Sequence, residues 1–158
     1  MANKRSSQLT GVTGVHYVAA YLAYLGFHAV PTTRNVPGPD VLVSTPNGSS
    51  LLSLQVKTTA WAMRTRGRGK NKKPHHYEWY IGWNSAVLNN PRLFFALVDL
   101  KEFTGLPDVF IVPSKVISKY FDAGPEGWPM ARYHPEISEV DRYKNNWDIL
   151  KKVLEKGS

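Results

Sequence analysis

The chain contains no cysteine. That excludes a disulfide framework, a zinc–thiolate centre, an iron–sulfur cluster and a thiol nucleophile. No apolar run approaches the roughly 18 residues needed to cross a bilayer, so no membrane contact is expected. The opening residues, Met1 to Ser7, lead into no apolar stretch of signal-peptide kind, and a cytoplasmic location is the expectation. Acid is also missing from the first part of the chain, where no Asp or Glu precedes Asp40. From Met1 to Tyr77 ten basic residues face that single acid, a net charge of +9; from Glu78 to Ser158 ten basic residues face eleven acidic ones, a net of −1. All the excess positive charge therefore lies in one half. A one-sided positive field suits a polyanionic partner, with nucleic acid the first choice and a merely soluble basic protein the plain alternative.

With 158 residues, 42% of them hydrophobic, the chain is long enough for one core and short for two. Residues 1–10 are polar and read as a flexible N-terminus; residues 11–158 read as a single domain. Val15, Val18, Ala19, Leu22 and Leu25 recur at helical spacing, with Thr10 or Thr13 as the cap and Gly26 as the stop. Phe27 to Thr33 reads as a strand, and Arg34-Asn35-Val36-Pro37-Gly38-Pro39 as a turn-rich connection. Asp40 to Thr45 and Leu51 to Thr58 read as two strands joined by a turn at Asn47-Gly48. A short helix over 84–90, core strands at Leu93–Val98 and Asp108–Val112, and a helix over 115–121 follow. Residues 123–136 read as loop. A last amphipathic helix spans about 143–156, with Trp147, Leu150 and Leu154 on one face. Helix, three strands, helix and further strands predict a mixed α/β sheet.

The chemistry gathers around Asp40. It heads one strand, and Gln55 and Lys57 lie on the returning strand. Strand side chains alternate with period two, so Gln55 and Lys57 share a face while Val56 points the other way. If the strands pair, a carboxylate, an amide oxygen and an ammonium converge. The two oxygens are hard ligands of the kind Mg²⁺ or Mn²⁺ takes. A lysine beside such an ion can orient or deprotonate water and steady charge on a phosphate. Without that chemistry, Asp40 would cap a turn and Lys57 would be a solvated strand residue.

Pro39-Asp40, fourteen intervening residues and then Gln55-Val56-Lys57 resemble the PD-(D/E)XK nuclease motif, in its variant with Gln at the second acidic position. Gly11 to Leu22 is similar to the first helix of that superfamily, and Pro107 to Ser114 more distantly resembles a segment of its uncharacterised phage and bacterial members. The resemblance covers about residues 11–100. It implies a restriction-endonuclease-like αβββαβ core, with helices flanking a mixed central sheet and an extra C-terminal helix beyond it. It implies Asp40 as the metal-binding carboxylate, Gln55 as the second ligand and Lys57 as the catalytic lysine. Many members also carry a Glu in the first helix. Here the matching position is Val15, with His16 beside it, so a single negative charge would face the cation.

Arg64, Arg66, Arg68, Lys70, Lys72 and Lys73 fall in one stretch with no acid, read as an exposed basic loop over 64–74. Such a loop neutralises phosphates and makes binding salt-sensitive without reading base sequence. His75 and His76, adjacent on a strand, should face opposite ways and not share a metal. Tyr77, Trp79, Tyr80 and Trp83 suit either base stacking or sheet packing, with packing favoured. Trp128, Tyr133, Tyr143 and Trp147 read as packing for the last helix. No nucleophile elbow, Walker loop or dinucleotide fingerprint is present, and His28 and His134 carry no supporting pattern. The expected function is metal-dependent hydrolysis of phosphodiester bonds in DNA. Two alternatives stay open: a catalytically inactive nucleic-acid-binding module on the same fold, and a protein-interaction subunit of a phage or defence complex. A homodimer is a further arrangement that a free sheet edge would allow.

Overall fold

The computed structural model describes residues 6–33, 37–124 and 130–156. The readings placed on Arg34, Asn35, Val36 and Trp128 lie outside these residues. The first helix, α1, spans Ser7–Tyr24, and Ser6 caps it by accepting the Leu9 N–H at 3.2 Å. The helix thus starts earlier than the apolar spacing implied. The cap is Ser6 rather than Thr10 or Thr13, and residues 7–10, expected to be flexible, form its first turn.

Three strands follow: β1 (His28–Pro31), β2 (Val41–Ser44) and β3 (Leu51–Thr59). The β2–β3 turn forms as its sequence predicts. Gly48 takes φ +69°, and Asn47 Oδ1 accepts the Ser49 N–H at 3.1 Å. The basic stretch is not a loop. It forms an antiparallel hairpin of β4 (Met63–Arg66) and β5 (Lys73–Tyr77), in which Arg66 pairs with Lys73 and Arg64 with His76. Charge density hid the strands, because a two-stranded ribbon in water has no buried face to pattern.

The chain then forms β6 (Trp79–Tyr80), α2 (Trp83–Ala86), β7 (Leu93–Asp99), β8 (Asp108–Pro113) and α3 (Ser114–Asp122). After these come β9 (Arg132–Tyr133), α4 (Ile137–Val140) and α5 (Asp148–Glu155). Strand β9 pairs with β6, so the stretch read as loop holds one short strand. The last helix begins at Asp148 rather than near 143. Asn145, at φ +50°, is latched to the edge of β8: its N–H donates to Val109 O at 2.6 Å, and its Oδ1 accepts the Val109 N–H at 2.8 Å. That tertiary pairing overrides the helical pattern upstream of it.

The main sheet has the order β1-β2-β3-β7-β8, with β3 and β7 parallel and the other pairs antiparallel. With α1, β1–β3, α2 and β7, this is the αβββαβ order expected, with helices flanking a mixed sheet. One sheet face carries Leu52, Leu54, Val56, Ala96 and Ile111 against Val18 and Leu22 of α1 and Leu150 and Leu154 of α5. The packing of α1 on β3 is close at one point. A Cβ on Gly14 would overlap Thr58 Oγ1, so only glycine fits there. The other face is covered over β7 and β8, where Phe95, Leu97, Phe110 and Val112 meet Trp79, Ile81, Ile117 and Tyr133. Over β1 and β2 it is open: Val30 is 58% and Leu42 37% exposed. The edge of the cover runs along β3.

Candidate active site

Asp40 stands just before β2 and continues its pairing, for its N–H donates to Leu54 O at 2.8 Å. The register pairs Val41 with Leu54, so the next inward donor on β3, the Val56 N–H, lies past the end of β2. The Asp40 carboxylate takes that donor: Oδ2 accepts the Val56 N–H at 2.8 Å and Gln55 Nε2 at 2.5 Å. A buried unpaired N–H would cost about 1–3 kcal/mol, so Asp40 has a structural use. Gln55 is only 9% exposed.

Gln55 and Lys57 lie two residues apart on β3, on the face opposite Val56, as the alternation requires. Their side of the sheet is where the cover ends. Lys57 is half-buried. Burial lowers the pKa of its ammonium, and the Asp40 carboxylate nearby opposes that without cancelling it. The strand therefore holds a lysine that releases its proton more readily than a solvated one. Asp40, Gln55 and Lys57 are brought together.

The first helix adds no ligand to this cluster. Val15 packs against the core, and His16 is exposed. The donors that suit a hard cation here are a carboxylate oxygen of Asp40 and the amide oxygen of Gln55, which replaces Nε2 after a half-turn of the amide. Among the described residues no group of three or more His, Cys, Asp or Glu forms a metal cluster. The donor set thus fits an ion of magnesium type that keeps most of its waters, and it does not fit a fully protein-caged one.

The hairpin begins four residues after β3 ends, so it extends from the strand that carries the cluster. Two of its six cations are engaged. Arg64 donates from Nη1 to Trp61 O at 2.7 Å and pairs with Glu78 at 3.4 Å, and Arg132 shares the same carboxylate at 3.5 Å. Arg66 Nη1 lies 3.4 Å from His75 Nε2. Arg68, Lys70, Lys72 and Lys73 are exposed and enter no ion pair among the described residues.

The two histidines do not face opposite ways as strand alternation predicted. A β-bulge shifts the register between Arg64 and Thr65, leaving His75 as the extra residue. His75 Nδ1 and His76 Nδ1 come within 3.0 Å, with His134 edge-on to His76. Burial, then the neighbouring His75 and His134, lower the His76 pKa. Of the aromatics, Tyr77 and Trp79 are core, whereas Tyr80 and Trp83 are exposed.

Sequence reasoning missed two features. Asp99 is buried and ties the hairpin root to β7, accepting N–H groups of Ala62 at 3.1 Å and Lys101 at 3.0 Å. Burial raises its pKa against those two hydrogen bonds. A Val-Asp-Leu strand end carries no motif that would have revealed it. The second is a cleft of about 440 Å³ beside Gln55, walled by Pro39 on one side and by Leu88, Asn89 and Arg92 on the other.

Among the described residues no helix is long and apolar enough to cross a membrane. No family model matches the chain, and no curated protein matches it. Among solved structures, the bacterial homing endonuclease I-Ssp6803I is similar over 96% of this chain and 94% of its own, with a TM-score of 0.56 and 15% identity. At that identity the likeness is one of fold. The chain shares with that endonuclease a mixed α/β architecture, a central mixed sheet flanked by helices.

Proposed function

We propose that this protein is a metal-dependent endonuclease that hydrolyses phosphodiester bonds in DNA. One observation carries the reading: a carboxylate, an amide and a lysine of lowered pKa meet beside β3 where the sheet cover ends, next to a ribbon on which four exposed cations enter no ion pair among the described residues. The fold it shares with a bacterial homing endonuclease supports the same class.

Asp40 and Gln55 would hold Mg²⁺ or Mn²⁺, with water and substrate phosphate filling the remaining positions. When bound, such an ion would polarise the phosphate and lower the pKa of water. Lys57 Nζ, in its neutral form, accepts the proton of the attacking water as the new oxygen–phosphorus bond forms. The bond to the leaving oxygen breaks, and that oxygen takes a proton from solvent. The protonated Lys57 then lies beside the phosphate's developing negative charge, where a fixed cation lowers the barrier. Arg68, Lys70, Lys72 and Lys73 hold flanking phosphates and set the salt dependence of binding.

The test is cleavage of plasmid, single-stranded and branched DNA at low salt in Mg²⁺, Mn²⁺ and EDTA. Metal-dependent cutting by the wild type, lost in Asp40→Ala and Lys57→Ala with DNA binding kept, is the expected result. Unchanged cutting by Lys57→Ala sinks the mechanism. The two-oxygen donor set favours one second reading, a module that binds nucleic acid without cutting it. That reading expects salt-sensitive binding indifferent to EDTA and no cleavage of any substrate.

A further inference from the structure

We propose that the cleft beside Gln55 is the subsite for the nucleotide adjoining the scissile phosphate, with Arg92 as its phosphate contact and Asn89 as its contact to sugar or base. This rests on the endonuclease reading. The cleft sits where such a subsite must be. Ser53 and Gln55, on one face of β3, line it, and Gly38 and Pro39 lead from its wall directly to Asp40. Ser53 lies roughly 7 Å up the strand from Gln55. The hairpin lies the other way, past Lys57 and Thr59. A nucleic-acid strand following β3 would thus run from the cleft, over Asp40 and Lys57, to the basic ribbon.

The cleft's volume, about 440 Å³, falls at the small end of the roughly 300–1,000 Å³ of ligand pockets and suits one nucleotide unit. Its lining has an arginine and no carboxylate, so nothing in it repels a phosphodiester. Pro39, Leu88 and Leu93 give it apolar surface for a sugar or base.

Its far wall is fixed in advance. Ser114 is fully buried; its Oγ accepts the Asn90 N–H at 2.9 Å and donates to Asn90 O at 2.8 Å. Asn90 Oδ1 accepts the Arg92 N–H at 2.8 Å, and Arg92 O accepts the Ser53 N–H at 2.9 Å. The Arg92 guanidinium is steered by one nitrogen only: Nη1 donates to Ser50 Oγ at 3.1 Å and to Leu51 O at 2.9 Å. Nε and Nη2 make no hydrogen bond among the described residues, and neither does the exposed Asn89 amide. A guanidinium held at one end with its outer donors open is pre-organised for a phosphate. Packing explains the pinned backbone. It does not explain why the outer donors of a guanidinium and an amide stand open at the lip of a cleft whose wall at Pro39 adjoins Asp40.

The experiment measures anisotropy of a fluorescein-labelled random-sequence duplex, and of its separated strand, across salt in EDTA, with cleavage kinetics in Mg²⁺ alongside. Arg92→Gln should weaken binding roughly tenfold and flatten the log–log salt slope by about 0.7–0.9, the loss of one phosphate contact. Arg92→Lys should restore the slope. Because Arg92→Gln also frees Ser50 and Leu51, Asn89→Asp is the second variant. It touches no internal bond and sets a negative charge at the lip, and it should raise KM severalfold with kcat little changed. Wild-type affinity, slope and KM in both Arg92→Gln and Asn89→Asp, with metal-dependent cutting intact, overturn the subsite and leave the endonuclease standing. A wild type that neither binds nor cuts nucleic acid overturns both readings together.

Discussion

Strand β3 and the hairpin that follows it both carry positive charge, and they treat it in opposite ways. On β3 the charge is single and half-withdrawn from water, beside a carboxylate, with its proton loosened. On the hairpin the charge is plural and solvated, and Arg68, Lys70, Lys72 and Lys73 enter no ion pair among the described residues. A desolvated lysine is poor at attracting a distant polyanion but good at exchanging a proton. A solvated cluster attracts from afar and leaves the chemistry of bound water unchanged. On the proposed function the two regions would divide one task between reaction and capture, and their continuity along the chain would place captured phosphate next to the reacting group.

The largest effect expected from breaking this division is on rate. Lys57→Ala should lower kcat by roughly 10²–10⁴-fold, the usual worth of a positioned proton acceptor. In the wild type kcat should climb with pH along a limb below the ordinary lysine range, and Lys57→Arg, always charged, should lack that limb. Next comes capture. Replacing Arg68, Lys70, Lys72 and Lys73 with Gln should flatten the salt slope of DNA binding by about 3 to 4, with kcat at saturating DNA nearly unchanged. A large drop in kcat instead would merge the two regions into one.

Asp99→Ala should cut the tie that holds the hairpin root to β7. Losing the acceptor of the Ala62 and Lys101 N–H groups should cost about 1–3 kcal/mol in chemical denaturation. Faster proteolysis near the hairpin root should accompany it. A smaller effect, opposite in sign, is expected at Lys57 itself. Its folded pKa lies below its unfolded one, so below both values, where both states are charged, the folded state carries the desolvation cost. Between the two values the folded protein releases its proton first, and wild-type stability rises with pH across that window. Lys57→Met should melt higher at neutral pH and lack the rise. The smallest effect belongs to Thr58, whose buried Oγ1 has no hydrogen-bond partner among the described residues. Thr58→Val should be neutral or stabilising by up to about 1 kcal/mol.

Much of this was legible in the residues. The core strands announced themselves as short apolar runs bounded by turn residues, and the Asn47-Gly48 turn set the register that puts Asp40 beside Gln55. What failed to show were features made by contacts distant in sequence. Ser6 caps a helix whose apolar stripe begins a turn later. The hairpin's strands bury too little to leave a pattern. His75 and His76 meet because of a bulge, and a bulge is a property of the partner strand as much as of the pair itself. Arg92 was invisible because it reaches the cleft only through the β3–β7 pairing, its carbonyl accepting the Ser53 N–H just ahead of the first paired residue, Leu93.

That parallel pairing gives the site an order in time. Asp40 and Gln55 belong to an antiparallel hairpin and lie 15 residues apart, whereas Arg92 reaches Ser50 across 42. Local hairpins close in microseconds, while parallel pairings wait for long loops to close. On the ribosome the gap is wider still: at about 5–20 residues per second, the carboxylate and its amide leave the tunnel roughly 2 to 7 seconds before Arg92 does. During that interval the outer edge of β3 has no β7 to pair with, while its inner edge is already closed by Asp40 on the Val56 N–H. The acidic residue therefore guards one side of a nascent strand against wrong partners while the chain that will guard the other is still being made.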